Sequence, residues 1–390
     1  MNGGTVQGWL TVNVLVRRAA EALLISAGRR HLAQFDRCAP APCQRRILLG
    51  LLHQAQATRF GRDHDFRRIR SVADYRRLVP LWTRAELWRD YWEPVYPHLA
   101  GATWPDEGYS SLTPRLLSSC HRSALRTALA LAVHVRPRLR LLTGTLLFVS
   151  DEGPSRHTDP LSVAERLPAL IRPYTQSSAE PQAEHWADLP VTGLIGPAER
   201  LLHLLEQIKQ ARGKRHVRDV WPTLSAILYT RHPSAAPAGR LRGEVGEDVV
   251  LLEMAGRVEG PLAVEDPRFG SLRLLFDHGI YFEFVPPDAL NEPRCPRFDI
   301  EDIELGVPYE LAVTSPAGLW ACRIGRTVCL QRRDPPLLRF VEPTAPKPIE
   351  TRICRPSRRT DLVLSTPLPA PHPQSDGIPA ALPENSCHSP

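Results

Sequence analysis

The stretch "VPYELAVTSPAGLWACRIGRTVCLQR" (307–332) decides how the chain is read. Its two apolar, β-branched-rich runs are split by Pro316-Ala317-Gly318, so it reads as two strands joined at a tight corner. A second corner follows at Gly325, where a basic residue, Arg326, opens onto a surface. Outward from it lie "GSLRLLFDHGIYFEFVP" (270–286), "GPLAVEDP" (260–267) and "VVLLEMA" (249–255), further short β runs punctuated by Gly, Pro and Asp. Asp277-His278-Gly279 reads as a hairpin turn between two of them.

Upstream the period changes. Residues 10–35, "CQRRILLGLLHQAQATRFGRDHDF" (43–66, breaking at Gly61), "RLLSSCHRSALRTALALAVHV" (115–135) and "PAERLLHLLEQIKQARG" (197–213) carry apolar residues at helical spacing. "SVADYRRLVPLWTRAELWRDY" (71–91) reads as two short helices around Pro80, with Ser71 as an N-cap. "TGTLLFV" (143–149) and "LSAILYT" (224–230) read as strands. Helices with sparse strands, followed by dense β structure, imply an α/β protein. The expected organisation is one domain over 1–342: a helix-rich part (10–150), a loop-rich excursion (150–215) and a β-rich part (216–342). The segment 343–390 carries 11 prolines and almost no apolar run, the composition of a disordered tail.

Composition sets further bounds. The 390 residues hold 39 prolines and carry a net charge of +7, supplied by arginine because only Lys209, Lys214 and Lys347 are lysines. The arginines are spread along the chain against 42 acidic residues, which argues against a nucleic-acid footprint. The eight cysteines show no CxxC pair and no metal-ligand spacing, and are expected as reduced thiols of a cytoplasmic protein. The N-terminal "GWLTVNVLV" is too short to span a bilayer, so no membrane partner is expected. His64 between Asp63 and Asp65 reads as a solvated turn, and Ser119 with His121 as a helix adjacency rather than a triad.

Four stretches in order carry a resemblance: "QAQATRFGRDHDFRRIRSVADYRRLVPL" (54–81), "VWPTLSAI" (220–227), "EGPLAVEDPRFGSLRLLFDHGIYFEFVP" (259–286) and "VPYELAVTSPAGLWACRIG" (307–325). Together they resemble the auxin-responsive, Gretchen Hagen type family of acyl-acid amido synthetases, within the adenylate-forming superfamily. The resemblance implies an adenylate-forming-enzyme-like large N-terminal domain, its first part helical and its second part β-rich, with the small C-terminal domain missing. It also implies ATP and Mg²⁺ as cofactors, and a small carboxylic acid and an amino acid as partners. In that chemistry the acid attacks the α-phosphate of ATP, releasing pyrophosphate and leaving an acyl-adenylate, and the amine then displaces AMP to give an amide.

Carried over position by position, the family's motifs are altered. Its glycine-rich phosphate loop falls at Ser110, Ser111 and Thr113, without the glycines that leave backbone N–H groups open to phosphate. The Tyr-x-Ser-Ser-Glu type motif falls on "AGRVE" (255–259). Ala255 replaces the adenine-stacking aromatic, beside Gly256, and Glu259 is the candidate catalytic and Mg²⁺-binding carboxylate. In the aromatic strand that ends in Gly-Asp, Trp320, Arg323 and Gly325 keep the pattern, with Arg323 the candidate catalytic cation. Arg326 occupies the Asp position, a donor-only cation where a carboxylate would accept ribose hydroxyls. Two functional classes follow: an ATP-dependent acid–amino acid ligase with an impaired ATP site, and a non-catalytic relative that binds an acyl acid or a protein partner. The acyl pocket is expected between the β-rich segment and the helix carrying Tyr109 to Arg126.

Overall fold

A computed structural model describes residues 14–96, 98–105, 115–141, 144–149, 171–174, 182–230, 237–257, 259–290, 292 and 295–341. The elements in chain order are α1 (Val14–Arg37), α2 (Pro40–Ala55), α3 (Arg59–Asp63), α4 (Val72–Leu78), β1 (Trp82–Thr83), α5 (Arg84–Leu87), α6 (Arg115–Val135), β2 (Thr145–Val149), β3 (Ile171–Tyr174), α7 (Gln182–Ala187), β4 (Val191–Pro197) and α8 (Ala198–Arg212). They continue with α9 (Val217–Val220), β5 (Ala226–Thr230), α10 (Pro237–Val245), β6 (Val250–Arg257), β7 (Gly260–Asp266), β8 (Ser271–Leu274), β9 (Tyr281–Val285), β10 (Pro308–Ser315), β11 (Leu319–Arg332) and β12 (Leu337–Val341).

One mixed sheet runs in the order β3-β2-β4-β5-β6-β7-β8-β12-β11-β10-β9, with β1 added alongside β11. From β3 to β6 neighbouring strands are parallel; from β6 to β9 they are antiparallel. The parallel strands are covered on both faces, as their near-continuous apolar sequences require. In β5, Ala226 and Leu228 join the main core while Ile227 and Tyr229 point into a second core. That second core is closed by Leu201, Leu204, Leu205 and Ile208 of α8 and Leu241 and Val245 of α10. On the other face α6 lies against β7, and α1 lies against α6. Their approach is close: a Cβ at Gly28 would stand 3.3 Å from Ala130.

Buried polar groups tie the helices to the sheet. Gln44 of α2 donates to the carbonyls of Phe276 (2.5 Å) and Ile280 (2.8 Å) and accepts from the Phe282 amide (2.7 Å), satisfying three backbone groups between β8 and β9. Arg273 of β8, fully buried, lies between Asp266 and Asp36 and stacks its guanidinium 3.9 Å from the Phe35 ring centroid, fixing the end of α1. Glu283 of β9 is buried between Arg76 (3.1 Å) and Arg297 (3.4 Å); burial pushes its carboxyl above the ordinary range while the two guanidinium groups pull it back.

Most sequence expectations have their element, and Ser71 does cap α4, accepting from the Asp74 amide at 3.0 Å. Three details differ. The helix of 43–66 breaks at Gln56–Thr58 rather than at Gly61, because the Thr58 hydroxyl caps α3 from the Gly61 amide and donates to the Ala55 carbonyl. Asp277–Gly279 does not form a hairpin: β8 pairs with β7 and β12, β9 with β10, so this turn carries the chain from mid-sheet to its far edge. Cys38 and Cys43, expected as free thiols, form a disulfide where the end of α1 turns into α2. No helix among the described residues is long and apolar enough to cross a membrane. The expected tail, 343–390, and most of the excursion around 150–180 lie outside the described residues.

Candidate active site

Strand β6 joins the parallel half of the sheet to its antiparallel half. Its C-terminal end delivers the first candidate residues. The β6–β7 register slips between Ala255 and Gly256, and Gly256 has φ +127°. A Cβ there would stand 2.2 Å from the Gly260 carbonyl oxygen, so only glycine lets the strand turn back on itself. Glu259, in that turn, is 7% exposed.

The second group comes from β11. Its pairing with β10 jumps from Val313↔Cys322 and Ala312↔Arg323 to Glu310↔Thr327, which extrudes Ile324, Gly325 and Arg326 as a bulge. Gly325 has φ +66° with open space around its missing Cβ, so this glycine serves the backbone conformation. Before the bulge β1 adds in parallel, with Trp82 opposite Cys322 and Thr83 opposite Arg323. Thr83 also opens α5 through a capping box with Glu86. The Cys322 thiol is pushed up to about 12, first by burial, then by Glu259 and Glu86 against Arg84 and Arg323. Glu259 and Arg323 therefore share one electrostatic neighbourhood around Cys322.

Within that neighbourhood Arg323 is engaged, while Arg84 is exposed at the start of α5. Arg323 Nε stands 3.0 Å from Glu310 Oε1 and Nη2 stands 3.3 Å from Oε2, a two-pronged pair across β10 and β11. Arg326, past the bulge, lies with its guanidinium carbon 5.4 Å from the Phe340 ring centroid on β12. Trp320 is fully buried: its Nε1 donates to the Thr103 carbonyl at 2.9 Å and its ring stacks on Trp104 and Phe60, so it serves the core. Ser110, Ser111, Thr113 and Tyr109 lie outside the described residues.

Sequence reasoning passed over Glu310. It is 8% exposed in a strand whose neighbours Tyr309, Leu311 and Ala312 are buried, and a lone acid inside an apolar run was the available signal. His64 packs against the Phe60 ring at 4.0 Å. Among the described residues no group of three or more acidic, His or Cys side chains could hold a metal. Glu259 offers one carboxylate, which suffices for a Mg²⁺ that keeps its waters and is shared with a phosphate. By the family resemblance the adenine position would fall on Ala255 and the ribose position on Arg326, a donor-only side chain.

Comparison with known proteins sets these positions in context. The GH3 family N-terminal domain matches residues 31–90 and the GH3 family central domain matches residues 273–342. No curated protein matches the chain in sequence. Among solved structures, a GH3.15 acyl acid amido synthetase superposes with a TM-score of 0.59 at 15% identity, over 80% of this chain and 69% of its own. The same enzyme in complex with 2,4-DB gives 0.58 at 15% identity, over 83% and 70%. A 2-hydroxyisobutyryl-CoA ligase in the postadenylation state, in complex with 2-HIB-AMP, gives 0.53 at 13% identity, over 77% and 67%. With matches to both GH3 domain models on an adenylate-forming fold, the chain resembles the GH3 family of acyl-acid amido synthetases.

Proposed function

We propose that the chain is a GH3-type adenylate-forming protein that receives a small carboxylic acid but handles ATP poorly. The observation that carries this reading is the state of Arg323 and Arg326. Arg323 is held by both oxygens of Glu310, and Arg326 replaces the ribose-accepting carboxylate and packs on Phe340. A phosphate approaching Arg323 must displace a carboxylate already in two-pronged contact, and a ribose approaching Arg326 meets another donor. Glu259 remains the residue to hold Mg²⁺, with Arg323 the cation to neutralise developing charge. The amino acid acceptor rests on the family resemblance.

Calorimetric titration with 2,4-DB as the acid probe, with and without Mg²⁺·ATP, tests the proposal. Saturable binding of an acid without nucleotide, together with no acid-dependent ATP–pyrophosphate exchange, is the expected result. Robust exchange supported by a carboxylic acid would overturn it. Absence of acid binding across a panel of aryl and alkyl acids would turn the reading toward a protein-interaction module.

A further inference from the structure

The corner between α1 and α2 plays no part in the candidate site. It reads "CAPAPC" (38–43), with its two sulfurs joined as a disulfide. Cys38 is partly exposed and Cys43 is buried at 4% exposure, so a thiol arriving from solvent meets the Cys38 sulfur first. Cys43 lies in the first turn of α2, which carries no acidic residue, and the Arg46 guanidinium donates to its sulfur at 3.4 Å. A neighbouring cation and a helix start both stabilise a thiolate. The two sulfurs are therefore unequal: Cys38 is placed to be attacked and Cys43 to leave.

Neighbouring contacts hold the corner independently of the bridge. On one side Asp36 accepts from Arg268 at 2.8 and 3.1 Å. On the other, Gln44 is bonded to the Phe276 and Ile280 carbonyls and the Phe282 amide. An opened pair thus stays close enough to join again. The residues between the cysteines, Ala39, Ala41 and Pro42, also line a groove of about 820 Å³ together with Arg45, Arg46 and Glu301. Arg45 and Glu301 are exposed, and among the described residues neither side chain has an ion-pair partner.

We propose that Cys38–Cys43 is a thiol–disulfide exchange site for a small peptide thiol carrying carboxylates and an ammonium group. The groove has the size of a ligand cleft, about 300–1,000 Å³. Arg45 supplies the cation for a carboxylate and Glu301 the acceptor for an ammonium. The thiolate attacks Cys38 Sγ; its bond to Cys38 forms, the Cys38–Cys43 bond breaks, and Cys43 leaves as a thiolate beside Arg46. A second thiolate then attacks the sulfur of the attached molecule, releasing the small disulfide and the Cys38 thiolate. Two electrons pass from two thiols to the bridge. The reverse sequence, with the small disulfide as oxidant, closes it.

The test uses the full chain purified without reductant, incubated with reduced glutathione, quenched by alkylation and mapped by mass spectrometry. Cleavage after Arg37 and Arg45 releases both sulfurs on one peptide, 38–45. An intact bridge at the start, a glutathione adduct on Cys38 during the reaction and two alkylated thiols at its end are expected. Arg46→Ala should slow the opening by about threefold, the effect of a poorer leaving thiolate. Arg45→Glu should slow glutathione while leaving the neutral thiol 2-mercaptoethanol unchanged. With glutathione disulfide as oxidant, Cys43→Ser should keep a lasting adduct on Cys38. Circular dichroism checks that each variant is folded. Absence of the bridge in the air-oxidised chain, or an adduct on Cys43 in its place, would overturn the proposal. So would an Arg46→Ala rate equal to wild type, or equal slowing of both thiols by Arg45→Glu.

Discussion

Arg323 on β11 and Glu310 on β10 face each other across a break in their strand register, joined at 3.0 and 3.3 Å through two nitrogens and two oxygens. The pair sits where the sheet admits β1 and where Cys322 lies beneath Glu259's field. Its carboxylate neutralises the Arg323 guanidinium.

Glu310→Gln leaves the shape and removes the charge. It should raise affinity for Mg²⁺·ATP by about tenfold, because an ion pair no longer has to be broken before phosphate binds. Glu310 is largely buried and Gln leaves Arg323 a weaker acceptor, so stability should fall by roughly 1–3 kcal/mol. Titration of wild type and variant with Mg²⁺·ATP checks this, and unchanged or weaker affinity would remove Glu310 as the blocking group.

Arg326→Asp replaces a donor-only cation with an acceptor for two hydroxyls. It should strengthen adenosine binding in the same titration and forfeit roughly 0.5–1 kcal/mol of contact with Phe340. A variant that still shows no response to adenosine would place the ribose elsewhere.

Gly256→Ala should lower stability by about 1–3 kcal/mol, since φ +127° disfavours a side chain and the added Cβ would be driven into the Gly260 carbonyl. Urea unfolding midpoints measure this directly. A midpoint equal to wild type would show that the β6–β7 turn relaxes freely.

His31 gives a pH dependence with a definite sign. Burial, then His278 and Arg126, hold its imidazole below the ordinary 6.5 against the opposing charge of Asp277. Its Nε2 lies 2.6 Å from the Thr127 hydroxyl, itself 2.8 Å from His278 Nε2. The unfolded chain therefore binds a proton at His31 more readily than the folded one. The stability it contributes is complete above pH 6.5 and is lost as pH falls from there through the lower folded value. The urea midpoint should fall between pH 7.5 and pH 5.5, and His31→Gln should reduce that fall. An identical slope in the variant would assign the dependence to other groups.

The strands of 249–332 were legible because their apolar alternation is local and strong, and Ser71 was legible because a cap needs only its own helix. What was misread depends on partners remote in sequence. Gly61 marks a close approach to the Ala55 carbonyl, not a helix end, and only the three-dimensional turn at Thr58 shows this. Asp277–Gly279 looks like a hairpin until the pairing of β8 with β12 is known. At the site, Arg323 and Arg326 could be aligned to a family pattern, but their engagement by Glu310 and Phe340 arises from cross-strand neighbours. A register jump created those neighbours, and a single sequence does not reveal it.

The position of β12 has a consequence for how the molecule is made. It lies between β8 and β11, so the sheet's middle seam is filled by the last strand of the described chain. On a ribosome, β6 through β8 and then β9 through β11 emerge as two separate ribbons, each ending in a bare row of amides and carbonyls. Until Leu337–Val341 clears the exit tunnel those rows have no neighbour, and the half-made protein is at its most adhesive. In the finished sheet that five-residue segment is what joins the two ribbons into one.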